Sequence, residues 1–289
     1  MRTRTGGYPI GFRQGGGAWR RDTEAVIAWM GANGLEVIDL GRDADEAAQP
    51  YLEAGVRIGS VDLCEREGMI SSDAGRRSEA VARNKEYIRD CAAAGMRNFF
   101  VVMLPADPGL PRAESFGYMV ESFGQLVPVL KEYDAHVVVE GWPGPGALCC
   151  TPEGYRGLFR EIPSRAMGIN YDPSHLIRQG IDPMRFLREF RDRVFHVHGK
   201  DTELIPENLY EYGHEQPPTF AKRYAFGGMA WRYTIPGHGV MRWPAAFAIL
   251  SESGYGGCVS IELEDASFNG AEDTEKLGIL QGAQFLAGC

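Results

Sequence analysis

His136-Val137-Val138-Val139-Glu140, Met167-Gly168-Ile169-Asn170-Tyr171-Asp172 and Val194-Phe195-His196-Val197-His198 decide the fold. Each is a short apolar run of strand length, and each closes on a group that apolar surroundings do not tolerate alone. Between the first two lies Pro152–Arg160, a helical stretch opened by Thr151 as N-cap with Pro at the first helical position. Between the second and third lies Pro183–Arg191, capped by Asp182. Strands that alternate with helices are parallel and joined by right-handed crossovers.

The same alternation runs outward to both ends. Upstream, Tyr8–Phe12, Leu35–Leu40, Val56–Leu63 and Asn98–Leu104 read as strands; downstream, Cys258–Leu263 completes a set of eight. The intervening helices are Ala25–Gly31, Ser78–Ala94, Glu114–Tyr133, Trp243–Ser253 and Thr274–Leu286, with Asp43–Leu52 as the weakest. Gly34, Gly95 and Gly254 stand where helix C-termini are expected. Eight βα units in one chain of this length predict a closed (β/α)8 barrel, a single domain over residues 1–289. An open doubly wound sheet is the rival, but Gly15-Gly16-Gly17 lacks the G-x-G-x-x-G spacing of a phosphate turn. Asp201–Val240, after the seventh strand, is the one long insertion; it shows no clear strand periodicity and reads as an active-site lid.

Composition agrees with a globular domain: 44% hydrophobic and 24% charged residues exclude disordered, collagen-like and coiled-coil chains. No apolar run is long enough to span a bilayer. The N-terminal residues lack the apolar stretch of a signal peptide, so the cytoplasm is the expected location. A net charge of −9 argues against nucleic-acid binding. The six cysteines, Cys64, Cys91, Cys149, Cys150, Cys258 and Cys289, form no C-x-x-C pair and read as reduced thiols, with Cys91 and Cys258 buried.

In a barrel the reactive groups sit at the C-terminal ends of the strands. The last four strands end in Glu140, Asp172, His198 and Glu262. Taken singly, each is more simply an ion-pair or hydrogen-bonding residue. Three carboxylates sharing one mouth, however, repel and raise one another's pKa, which a divalent cation relieves. Oxygen donors with one nitrogen favour Mn²⁺, with Mg²⁺, Co²⁺ or Zn²⁺ as alternatives. Glu264 is the substitute if the register is off by two, His196 is a structural neighbour, and His136, His214 and His238 are outside the site. Trp142 offers a ring on which a sugar face can stack.

The segments Val139–Gly144, Asn170–His175, Val197–Glu203, Trp231–Gly237 and Ser260–Asp265 resemble the sugar isomerase/epimerase superfamily, the xylose-isomerase-like TIM barrels. The resemblance implies that Glu140, Asp172, His198 and Glu262 are metal ligands and that His175 contacts a substrate hydroxyl. The ketose 3-epimerases of that superfamily carry an Arg six residues after the ligand His, where this chain has Leu204; Lys200 and Arg232 are the candidates to replace it. The implied reaction is metal-dependent isomerisation or epimerisation of a keto-sugar or related polyol through an enediolate. Glu140 and Glu262 would exchange the proton. The competing expectation is a lyase or dehydratase acting on an inosose or a 3-keto-glycoside. A DNA-repair endonuclease of the superfamily would need more His ligands and a basic face, and a non-catalytic sugar-binding barrel would show no proton exchange. A small sugar is the expected partner, with no membrane; homo-oligomerisation is left open.

Overall fold

The computed structural model describes residues 1–215 and 217–289. Eight parallel strands close into a barrel: β1 Ile10–Arg13, β2 Val37–Leu40, β3 Arg57–Asp62, β4 Asn98–Val102, β5 His136–Glu140, β6 Met167–Tyr171, β7 Val194–Gly199 and, last in the chain, β10 Val259–Ile261. Pairing follows chain order round the ring, and β10 closes it between β7 and β1. The expected (β/α)8 barrel is therefore the observed fold.

Alternation along the strands divides the core into two layers. Odd positions such as Val137, Val139 and Ile169 face outward into the main hydrophobic cluster under the helices. Phe100, Val102 and Val138 form a small separate cluster. The helix Trp243–Glu252 shows how the outer layer is built, burying Trp243, Ala246, Phe247 and Leu250, which share one face at helical spacing.

Three details differ from the sequence reading. The helix expected over 114–133 is two, Arg112–Gly124 and Val127–Glu132, with Pro128 in the first turn of the second. A proline there has no amide to continue the first helix. The weak stretch 43–52 forms two short helices, Ala44–Ala47 and Gln49–Glu53. The insertion contains strands after all: β8 Asp201–Leu204 and β9 Trp231–Thr234 pair antiparallel, Asp201 opposite Thr234 and Leu204 opposite Trp231. A helix, Pro206–Tyr212, follows β8. Each strand is only four residues long, which is why no period stood out. Asp201 anchors the root of this ribbon, accepting hydrogen bonds from the amides of Thr202 and Met241 and from Trp243 Nε1.

Candidate metal centre at the barrel mouth

The four expected ligands come from neighbouring staves. Glu140 is the last residue of β5, Asp172 follows β6, His198 lies near the end of β7, and Glu262 follows β10. One donor atom from each lies within 4.8 Å of every other. Glu140, Asp172 and His198 are buried, and Glu262 is partly covered.

Local structure fixes each donor. Asp172 caps the short helix Pro173–Ile177, so its Oδ1 accepts from the Ser174 amide and hydroxyl at 2.9 and 2.6 Å. Its Oδ2 is left buried with no well-directed hydrogen bond. Glu140 Oε2 accepts from Asn170 Nδ2 at 2.8 Å and lies 2.7 Å from His198 Nδ1. Glu262 Oε1 lies 3.4 Å from Arg13 Nε. A buried Asp172 oxygen that faces Lys200 Nζ at 3.1 Å, two further carboxylates and one imidazole, with donor atoms within 4.8 Å of one another, fit a hard divalent cation.

Behind the ligands stands Asp39, which sequence reasoning missed. Its carboxylate accepts from the Ser60 amide at 3.0 Å, lies 2.8 Å from His196 Nε2 and faces His198 Nε2 at 3.4 Å. Asp39, His196 and His198 also lie within metal-binding distance of one another. Here, however, the Asp39 oxygens are already engaged by His196 and Ser60, so the trio is a hydrogen-bonded support. His198 turns Nδ1 toward the carboxylate cluster, 2.7 Å from Glu140 Oε2, and leaves Nε2 buried on the Asp39 side without a well-directed hydrogen bond. The only signal in the sequence was a charged residue inside the apolar strand Val37-Ile38-Asp39-Leu40.

His175 and Lys200 reach the same place. His175 Nε2 lies 3.2 Å from Glu140 Oε1, and its Nδ1 is 2.7 Å from the Tyr233 hydroxyl. Arg178 Nη1 donates to that hydroxyl at 2.6 Å. The Tyr233 proton is thereby directed to His175 Nδ1, leaving Nε2–H toward Glu140. Lys200 Nζ is 3.1 Å from Asp172 Oδ2 and 2.9 Å from Glu264 Oε2, and it also contacts Glu262 Oε2. Lys200 and one divalent ion together would neutralise the three ligand carboxylates.

The field follows from these contacts. Burial opposes the charge on His198, but Glu262 and Glu140 overcome it and raise its pKa well above the ordinary value. Burial and Glu262 push Glu140 up, yet His175 and His198 hold it below the usual carboxylate range. Burial of Glu262 is outweighed by Lys200, His198 and Arg13, which hold it well down. Lys200 is raised well above its ordinary value despite burial, by Asp172, Glu262, Glu264 and Glu140. Burial pushes Asp39 up, and His196 and His198 more than reverse it. The mouth is thus a dense cluster of carboxylates held ionised by the imidazole, ammonium and guanidinium groups among them.

The remaining residues fall as follows. Glu264 sits one step outside the four, against Lys200. Trp142 lines a cavity beside the site. Arg232 does not join them: it pairs with Glu203, its neighbour across the β8–β9 ribbon. Leu204 is 45% exposed on that ribbon, so no cation reaches the ligands from its position. His136 stacks on Phe195 at 3.6 Å, while His214 and His238 are exposed. All six cysteines are free thiols. No helix among the described residues is long and apolar enough to cross a membrane.

Fold and site together define a parallel (β/α)8 barrel with an oxygen-rich candidate metal site at its C-terminal mouth. The chain belongs to the xylose isomerase-like TIM barrel family, whose profile it matches over residues 23–289. It is 33% identical over 118 residues to the uncharacterized protein YfiH of Bacillus subtilis (strain 168), covering 38% of this chain and 35% of that one. It is 28% identical over 151 residues to the inosose dehydratase of Clostridium tetani (strain Massachusetts / E88), covering 52% of this chain and 48% of that one. The matched segment thus spans half or less of these relatives. Among solved structures, D-psicose 3-epimerase from Clostridium cellulolyticum H10 superposes with a TM-score of 0.72 at 12% identity, covering 97% of this chain and all of that one. The 3-keto-D-glucoside 4-epimerase YcjR from E. coli gives 0.70 at 14% identity, covering 98% and 100%. At such identities the likeness is one of fold.

Proposed function

We propose that this chain is a divalent-metal-dependent sugar isomerase or epimerase that moves a proton on the carbon next to the carbonyl of a keto-sugar or polyol ketone. The observation that carries this reading is the order of the staves. In the ring sequence β10-β7-β6-β5, the outer two strands contribute Glu262 and Glu140, and the inner two His198 and Asp172. A substrate lying over this row has a carboxylate on either side. A bound divalent ion would supply Lewis-acid polarisation of the substrate carbonyl. Glu140, Asp172, His198 and Glu262 would hold it, with Mn²⁺ the first metal to test.

One glutamate takes the proton and the other returns it to the opposite face, which inverts the carbon; delivery to the neighbouring carbon gives isomerisation. His175, fixed by Tyr233 and Arg178, presents Nε2 beside Glu140 and is placed to hold a substrate hydroxyl. The Lys200 ammonium, beside Glu262, is placed to stabilise oxygen charge as the proton leaves. Glu140→Gln and Glu262→Gln are each expected to keep the fold and to lose α-proton exchange by about 10²–10⁴-fold, measured at manganese concentrations that saturate each variant. The experiment is NMR in heavy water with a panel of keto-sugars and manganese. Wild-type exchange in both variants would refute the assignment.

A second reading is favoured by the inosose dehydratase relatives. The same proton abstraction followed by departure of a β-hydroxyl is a dehydration. Mass spectrometry of the product separates the two, since epimers keep the substrate mass and a dehydrated product loses one water.

A further inference from the structure

A cavity of about 850 Å³ lies against the insertion and reaches inward to Glu264 and Tyr233, beside the candidate ligands. Its inner wall is made by Glu264 and Tyr233, the residues that touch Lys200 and His175. Its outer walls are Trp142, Tyr224 and Phe226, and its floor is the Arg178–Trp231 stack, with the guanidinium 4.5 Å from the ring centroid. Cavities of roughly 300–1,000 Å³ enclose drug-sized ligands; none of the four candidate ligands lines this one, so a sugar ring held at those ligands leaves it free.

The walls are built in advance. A Cβ at Gly144 would collide with the Trp142 indole, and one at Gly228 with the Trp231 indole, so a glycine at each place leaves room for the ring. Phe226 is held at φ +51°, a conformation costly for a residue with a side chain, while its ring remains 41% exposed. The Tyr233 amide donates to the Phe226 carbonyl at 2.9 Å, tying this strained turn to the strand that carries the His175 contact. Strain spent on presenting an exposed aromatic ring to a cavity marks a contact surface. Aromatic faces alternate there with the amide of Gln179 and the imidazole of His214, which suits a ring with C–H faces and a hydroxyl-bearing edge.

We propose that this cavity is a subsite for a second sugar ring, so that the substrate is a two-ring keto-glycoside whose ketone-bearing ring sits at the metal ligands. The proposal rests on the sugar-ketone reading above and adds to it the residues that select substrate size. The test compares a 3-keto disaccharide with the methyl 3-keto-glucoside that carries the same reacting ring. Binding to the manganese-loaded chain is followed by calorimetry and tryptophan fluorescence, and α-proton exchange is followed separately by NMR. The disaccharide is expected to bind about tenfold more tightly, an increment typical of one added ring stacked on aromatic side chains. Phe226→Ala is expected to bring the ratio of the two affinities close to one; Tyr224→Ala repeats the test at a second exposed position. Equal affinities in the wild type, no binding of either compound, or an unchanged ratio in both variants would overturn the subsite. Proton exchange without a preference for two rings overturns the subsite alone. A preference without exchange on either compound keeps the subsite and sinks the proposed reaction.

Discussion

Asp39 illustrates what single residues contribute here. It is not one of the four candidate ligands, yet its carboxylate stands 3.4 Å behind His198 Nε2, on the side away from the cluster. Asp39→Asn is expected to weaken metal binding about 10–100-fold with the barrel intact, as read by metal titration and circular dichroism. His136, at the opposite end of the barrel, gives a pH test free of the metal site. Burial lowers its pKa from the ordinary 6.5 to about 4, with Asp134 opposing and Arg165 adding to the shift. The folded state therefore prefers the neutral ring. The stability this gives is full above pH 6.5 and is lost as pH falls toward 4, because the unfolded chain takes up the proton first. Urea midpoints measured across that window should fall, and His136→Gln should flatten the decline. The four candidate ligands were legible in the sequence because each ends an apolar strand, where a carboxylate or imidazole stands out. Asp39, Tyr233 and Arg178 were not, since their importance depends on partners 157, 58 and 55 residues away.

Among the elements, the β8–β9 ribbon is the one whose presence changes the site. It delivers Tyr233 to His175 and lines the adjoining cavity. Its root depends on the buried Asp201, which satisfies four donors, the amides of Thr202, Gly237 and Met241 and Trp243 Nε1. Asp201→Ala leaves those donors unpaired and should cost about 1–3 kcal/mol, measured by urea unfolding, with a raised KM as Tyr233 loosens. A cost near zero would remove Asp201 from this role. Strand periodicity needs more residues than a four-residue strand supplies, so the ribbon read as a plain loop. The eight staves were long and apolar enough to be read, although Glu262 lies one residue past the end of a strand expected to run to Leu263. Pro128 is the sequence signal for the split of the helix over 114–133.

For the whole molecule, the binding of an ion and the stability of the fold are one equilibrium. The mouth ties together staves β5, β6, β7 and β10, half of the ring. Manganese at about one hundred times its Kd should add about 2.7 kcal/mol, seen as a rise of the thermal midpoint that a chelator reverses. Asp172→Asn and His198→Ala should lose that rise; variants that keep it would show the ion to bind elsewhere.

A single residue, Lys200, separates the end of β7 from the start of β8. The ribbon is therefore geared to the stave that carries His198, with no slack on that side to act as a hinge. Lifting its root would drag the ligand strand along, so any gating must be done at the far end, around Tyr224–Gly228. In hydrogen–deuterium exchange the root amides should be protected in step with β7, and the outer turn should open on its own clock.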